Sequence, residues 1–228
     1  MSAAPIAAVV FDMDGLLLDT ERLSRAAYVE TCRSFRLDVD EELFLSLVGL
    51  NHAAGSARLA EGLAGIADAG LFDRHWQQAF ADLLSAGIPV KPGADDLLEG
   101  LAGAGIPFAI ATSTRTETAL RHLAAAGIGR HFDIVVGGDQ VPRGKPAPDI
   151  YLEAAARLGA PPERCAAFED SENGVRAAMA AGMTTVQIPD LKHPTPDFLR
   201  LGHLVAPDLI AGAMLISLPL AGPLAALR

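Results

Sequence analysis

Asp12 and Asp14 close the stretch Val9-Val10-Phe11-Asp12-Met13-Asp14-Gly15, two carboxylates at the end of an apolar run with no basic residue beside them. Residues i and i+2 of a strand share a face, so the pair is held close unless the chain already turns at Asp14. Like charges that close repel by roughly several kcal/mol at an intermediate dielectric. Protonation of one carboxyl relieves this, and so does a divalent cation between them. Oxygen ligands with no His or Cys nearby favour Mg²⁺ over Zn²⁺. The alternative is an exposed acidic turn after a strand.

Three further segments carry chemistry. Lys145 lies in Gly144-Lys145-Pro146-Ala147-Pro148-Asp149, where two prolines stiffen the backbone enough to make a fixed cation of an otherwise ordinary solvated lysine. Thr112 and Ser113 offer a hydroxyl and helix-opening amides to an anion, or simply cap a helix. Glu169-Asp170 reads as an acidic first turn favoured by the helix dipole, or as the completion of an octahedral oxygen site with Asp12 and Asp14. A carboxylate nucleophile at Asp12, positive charge from metal and Lys145, and a proton donor at Asp14 are what phosphoryl transfer requires.

These residues need a frame to converge. Ile6 to Phe11 reads as a buried strand. Residues 17 to 88 read as helical, with Tyr28, Cys32 and Phe35, then Trp76, Phe80 and Leu84, at helical spacing; this is an insert with its own core. From Pro92 strands and helices alternate. Strands are expected at Ile106 to Thr112, Phe132 to Val136, Cys165 to Phe168 and Thr184 to Ile188. Helices are expected near Asp95 to Ala104, Arg115 to Ala126, Asp149 to Leu158 and Ser171 to Ala181, with Thr114 and Glu117 as a capping box. The pattern predicts an α/β fold, a doubly wound parallel sheet with Rossmann-like topology, split as residues 1–16 and 89–228 around a helical domain at 17–88. Asp12, Thr112, Ser113, Lys145, Glu169 and Asp170 all follow carboxyl ends of strands, the edge along which such sheets bind ligands.

A chain of 228 residues, half of them hydrophobic, buries a full core as one large domain or as a core with an insert. Cys32 and Cys165 lie in apolar patterns and read as reduced packing residues, and no signal peptide is legible, so a cytoplasmic protein is expected. Eighteen Lys and Arg against 28 Asp and Glu, net charge −10, exclude nucleic acid as an expected partner and require local cations at any phosphate site. The uncharged stretch Leu209 to Leu227 is long enough to span a bilayer. Gly212, Pro219, Gly222 and Pro223 interrupt it, so it reads as a last core element plus a terminal helix, with no membrane role. A monomer is expected, with this apolar tail as the surface a dimer would use.

Phe11-Asp12-Met13-Asp14-Gly15 with Leu18-Asp19-Thr20-Glu21, Ala111-Thr112-Ser113, Gly144-Lys145-Pro146 and Phe168-Glu169-Asp170-Ser171 resembles the haloacid dehalogenase superfamily. It is similar to the branch with a small helical cap, which includes sugar-phosphate phosphatases and β-phosphoglucomutase. The motifs stand in the family's order over essentially the whole chain. The resemblance implies that Asp12 becomes an aspartyl phosphate and that Asp14 is general acid and base, its backbone carbonyl on Mg²⁺. It implies that Thr112, Lys145 and the Ser113 amide clamp phosphate, and that Asp170 and Glu169 are downstream metal ligands with Asp12 and Asp14. Residues 17–88 would be a cap that closes over a small phosphorylated metabolite.

Departures weigh between family activities. Dehalogenases usually lack a carboxylate where Asp14 stands, since a halide needs no proton. Mutases carry a His and an Arg where this chain has Ser24 and, taking Gly49 as the cap glycine, His52. The reading is a Mg²⁺-dependent phosphatase of a sugar phosphate or phosphoglycolate-like acid. The alternatives are a sugar phosphomutase and, further off, a phosphate-binding module that does no catalysis.

Overall fold

In the computed structural model, which describes residues 5–50 and 52–227, the strands are short and the central ones wholly buried. They are β1 (Ala8–Phe11), β2 (Phe108–Thr112), β3 (Val135–Gly137), β4 (Cys165–Glu169), β5 (Thr184–Gln187) and β6 (Leu204–Val205). They form one sheet in the order β3-β2-β1-β4-β5-β6, every pairing parallel. Near-continuous apolar runs such as Ala8-Val9-Val10-Phe11 suit strands covered on both faces.

Alternation sorts each strand between two cores. Val9, Phe11, Ala166 and Phe168 point to one face, where Leu97 and Leu101 of α5 (Ala94–Gly103), Leu123 of α6 (Thr116–Ala125) and Leu209 of α10 (Leu209–Leu215) pack on them. Ala8, Val10, Cys165 and Ala167 point to the other, under Ile150 and Tyr151 of α7 (Asp149–Leu158) and Ala177 of α8 (Glu172–Ala180). Full burial of each large side chain stabilises by about 1.5–3 kcal/mol. The short α9 (Pro196–Leu199) precedes β6.

Between β1 and β2 run α1 (Thr20–Ser34), α2 (Glu41–Leu47), α3 (His52–Gly62) and α4 (Ala69–Ala86). They share a third core in which the Tyr28 ring lies 5.4 Å from those of Phe44 and Trp76 and 5.7 Å from that of Phe72. The two connections to the sheet run side by side, tied by Asp19 N–H to Pro89 O and Lys91 N–H to Leu17 O, both 2.8 Å. Lys91 and Arg22 then share Asp190, beyond β5, so charge also pins the crossing.

Several expectations need correction. The third strand starts at Val135, because Phe132 ends a 3-10 turn at Gly129–His131 and packs edge-on against Phe108. β6 was not foreseen: the apolar run Leu204-Val205-Ala206 is too short to read as a strand, and its two strand residues sit half-buried and exposed at a sheet edge. The capping box of Thr114 with Glu117 does not form. Asp139, from the loop after β3, accepts the Thr116 N–H at 2.7 Å instead, and Thr114 turns to Asp14. The tail folds as α10 and a terminal 3-10 segment, Gly222–Leu227. Among the described residues no helix is long and apolar enough to cross a membrane. The side chain of His52 lies outside the described residues.

Candidate active site

Strand order 3-2-1-4-5-6 reverses direction between β1 and β4, and a crevice opens where neighbouring crossovers diverge to opposite faces. Phe11 pairs with Phe168 across that junction, and the Asp12 N–H donates to Phe168 O at 3.0 Å, so Asp12 and Glu169 leave the sheet side by side. β2 delivers Thr112 and Ser113 on the other flank of β1.

Lys145 ties these strands together. Its buried ammonium donates to Asp12 Oδ1 at 2.5 Å, Glu169 Oε1 at 2.5 Å and the Ala111 carbonyl at 2.9 Å. All three of its donors are used. Burial works against the charged lysine, but Asp12 and Glu169 outweigh it and the pKa moves up. Asp12 moves up too, to about 8: burial dominates, Lys145 opposes it and Glu169 adds repulsion. Asp170 is raised well above the usual carboxylate range by burial, then by Glu169, Asp12 and Glu21. Three acids crowded around one ammonium form a site short of positive charge.

Oxygens of Asp12, Glu169 and Asp170 lie within 4.8 Å of one another, a hard all-oxygen set that fits Mg²⁺. Gly15 adopts φ +81°, and a Cβ there would overlap Asp170 Oδ2, so the glycine keeps the space beside that carboxylate clear. Glu169, fully buried, has both oxygens engaged. Tyr151 Oη donates to Oε1 at 2.7 Å beside the Lys145 bond, and the Asp170 and Ser171 amides and Ser171 Oγ donate to Oε2 at 3.1, 3.2 and 3.1 Å. It therefore orients Lys145 while standing among the candidate ligands.

Asp14 lies apart from Lys145 in a cage of hydroxyls. Thr20 Oγ1 donates to Oδ1 at 3.0 Å, and Thr114 Oγ1 donates to Oδ2 at 2.7 Å, with Thr112 Oγ1 at 3.5 Å. Thr112 also accepts the Thr114 N–H, at 3.1 Å. These groups and Ser113 floor a cavity of about 530 Å³ roofed by Leu50, Gln77, Phe80 and Leu84 of the helical segment. The structure thus brings Asp12, Asp14, Thr112, Ser113, Lys145 and Asp170 to one cavity, with Glu169 behind them.

Several residues here carried no role in the sequence reading. Tyr151 had a weak signal, a lone aromatic hydroxyl in an apolar helix six residues after Lys145. Gly174 had none, yet a Cβ there would fall inside the Glu169 carboxylate. Glu21 lines the cavity, its pKa raised to about 7 by burial and then by Asp14 and Asp190, with Lys91 opposing. His122, on α6, lines it as well.

A parallel sheet with a buried aspartate–lysine pair at its switch point, walled by acids suited to a hard cation, defines an α/β enzyme that handles an anionic group. The profile of the haloacid dehalogenase-like hydrolases matches residues 6–182. A phosphorylated carbohydrates phosphatase of Thermotoga maritima is 36% identical over 179 residues, 78% of this chain and 83% of the relative. The structure of CbbY from Rhodobacter sphaeroides in complex with xylulose-(1,5)bisphosphate superposes with TM-score 0.69 and 32% identity, covering 89% of this chain and 94% of that one. A HAD family hydrolase from Deinococcus radiodurans R1 with bound phosphate and sodium gives TM-score 0.77 and 30% identity, covering 93% and 94%. The chain belongs to the haloacid dehalogenase-like hydrolase family. It is an enzyme, a phosphoric monoester hydrolase.

Proposed function

We propose that the chain is a Mg²⁺-dependent phosphatase that hydrolyses a small sugar phosphate or related phosphorylated metabolite through a phosphorylated Asp12. The observation that carries this reading is the Lys145 ammonium held between Asp12 and Glu169. It fixes the Asp12 carboxylate and offers a cation to an anion that the chain's net charge would otherwise repel. Relatives named as a carbohydrate phosphatase and as a complex with a sugar bisphosphate support the substrate class.

In this reading Asp12 attacks phosphorus in line with the ester oxygen. Asp14, aligned by Thr20 and Thr114, protonates the departing alkoxide and later takes a proton from the water that cleaves the aspartyl phosphate. Thr112 and the Ser113 amide hold the phosphoryl oxygens, and the Lys145 ammonium, its donors on Asp12, Glu169 and the Ala111 carbonyl, supplies positive charge beside them. Asp12, Asp170, Glu169 and the Asp14 carbonyl would hold Mg²⁺, which would supply positive charge to the transferring group. The helical segment at 17–88 acts as a cap whose apolar roof keeps bulk water from the intermediate. Free, buried Cys32 and Cys165 are consistent with a reducing, cytoplasmic setting.

Phosphate release from a panel of sugar phosphates, run with Mg²⁺, with EDTA and with Asp12→Asn, tests the proposal. Release that needs both metal and Asp12 is expected. Release that survives the loss of either overturns it, and hexose phosphate interconversion without free phosphate would favour the mutase.

A further inference from the structure

Two helices face each other across the cavity and differ in what they present. Thr118, Arg121 and His122 share one face of α6, spaced for a common side. Opposite them α4 shows Gln77, then Phe80, Ala81 and Leu84. One wall forms hydrogen bonds; the other is largely apolar.

His122 is the unusual member. Its ring lines the cavity, yet Nδ1 is buried with no hydrogen-bond partner, and among the described residues Nε2 bonds to nothing either. Burial lowers the pKa of the ring while Asp14, near enough to be felt, pulls it up and Arg121 adds to the lowering. A neutral imidazole near the proposed proton donor thus offers one N–H and one acceptor. Ala119 and Leu123 of the same helix serve the core, while His122 lines the cavity.

Charge limits what else enters. Asp12, Asp14, Glu21 and Asp170 line the cavity. Among the described residues its cations are Lys145, committed to Asp12 and Glu169, and Arg121, at 3.4 Å from Glu117 and 3.1 Å from Thr118 Oγ1. A second phosphate would meet four carboxylates, and among the described residues Arg121, exposed and only loosely paired with Glu117, is the one cation left to face it. A polyol or sugar has the matching form, with hydroxyls for the α6 wall and C–H surface for Phe80 and Leu84.

We infer that His122 determines specificity by hydrogen-bonding a hydroxyl of the leaving group, and that the substrate is a polyol or sugar monophosphate whose far end is uncharged. This rests on the phosphatase reading.

The test compares kcat/KM for glycerol 3-phosphate and n-propyl phosphate, which share a carbon chain and differ in hydroxyls, in wild type, His122→Phe and His122→Gln. Wild type is expected to prefer glycerol 3-phosphate by about tenfold or more, as a site built for hydroxyls does. His122→Phe should bring the ratio towards one and His122→Gln should restore part of it. The ratio is internal to each variant, so a general loss of activity cancels, and a melting scan checks the fold. An unchanged ratio in His122→Phe overturns the role of His122, and a wild-type ratio near one overturns the hydroxyl reading. Preference for fructose 1,6-bisphosphate over fructose 6-phosphate overturns the uncharged end. Failure of the phosphatase reading itself looks different: p-nitrophenyl phosphate would then give no phosphate that depends on Asp12, and the inference would fall with it.

Discussion

The sheet edge and the helical segment above it enclose one cavity by opposite means. Below, Asp12, Lys145 and Glu169 are buried charges whose hydrogen-bonding capacity is largely consumed by one another, by Tyr151 and by backbone groups. Above, the helices are held by an aromatic cluster of Tyr28, Phe44, Phe72 and Trp76, and offer the cavity Leu50, Phe80 and Leu84. A charged network has one satisfactory geometry, because each unmet group in low dielectric is costly. Apolar packing tolerates substitution when volume and pattern are kept. The floor is thus suited to invariant chemistry and the roof to changeable selection.

Removing the charge at the centre of the floor should break this contrast most. Lys145→Ala leaves Asp12 and Glu169 buried without their cation and is expected to cost about 3–5 kcal/mol along with phosphate release. Urea unfolding and a phosphate assay measure both. The corresponding cut in the roof, Trp76→Ala, should cost about 3–5 kcal/mol as a large aromatic is lost. Its imprint should differ: hydrogen exchange should rise in α1 to α4 while β1 and β4 stay protected. Equal loss of protection in the sheet would show that the two regions are not energetically separate.

A smaller effect comes from one methyl group placed in each region. Gly174→Ala drives a Cβ into the Glu169 carboxylate and should destabilise by about 1–3 kcal/mol. Gly55→Ala, in α3 where a Cβ meets nothing within 4 Å, should stabilise by about 0.5–1 kcal/mol. Paired thermal melts give the opposite signs directly. If both variants destabilise, the asymmetry between floor and roof is wrong at these positions.

The subtlest test is a slope. Glu21, between floor and roof, has its pKa raised from 4.5 to about 7, first by burial and then by Asp14 and Asp190. Between those values the folded protein keeps a proton that the unfolded chain has released, so wild-type stability falls as pH rises through the window. Glu21→Gln has no such proton to lose. The melting-temperature difference, variant minus wild type, should change little below pH 4.5, grow through the window and level off above pH 7. A flat difference across that range would mean that Glu21 ionises as an exposed carboxyl does.

Much of this was legible in the chain because it depends on local order. Apolar runs with turn residues after them mark strands, and the acids, Thr112 and Lys145 all stand just past such runs, so their convergence on one sheet edge follows from the topology. Ser171 caps α8 as its position predicts, its Oγ accepting the Gly174 N–H at 3.1 Å. Thr114 stood in an equally good local pattern and was drawn instead to Asp14, 100 residues away, while Asp139 took the vacant cap. β6 was invisible for the same reason, since two edge residues become a strand only because β5 is there to pair with.

By itself the sequence determined most of the helices and central strands, the order of the motifs and the family, because periodicity, turn chemistry and short motifs reside in neighbouring residues. Only the tertiary structure decided how charge and hydrogen bonds are shared: that Glu169 orients Lys145 beside the acids, that Tyr151 and Gly174 support it, and that His122 reaches the cavity without a partner. Hydrogen bonds and desolvation act over a few ångströms between groups far apart in the chain, and no local pattern records which of them will meet.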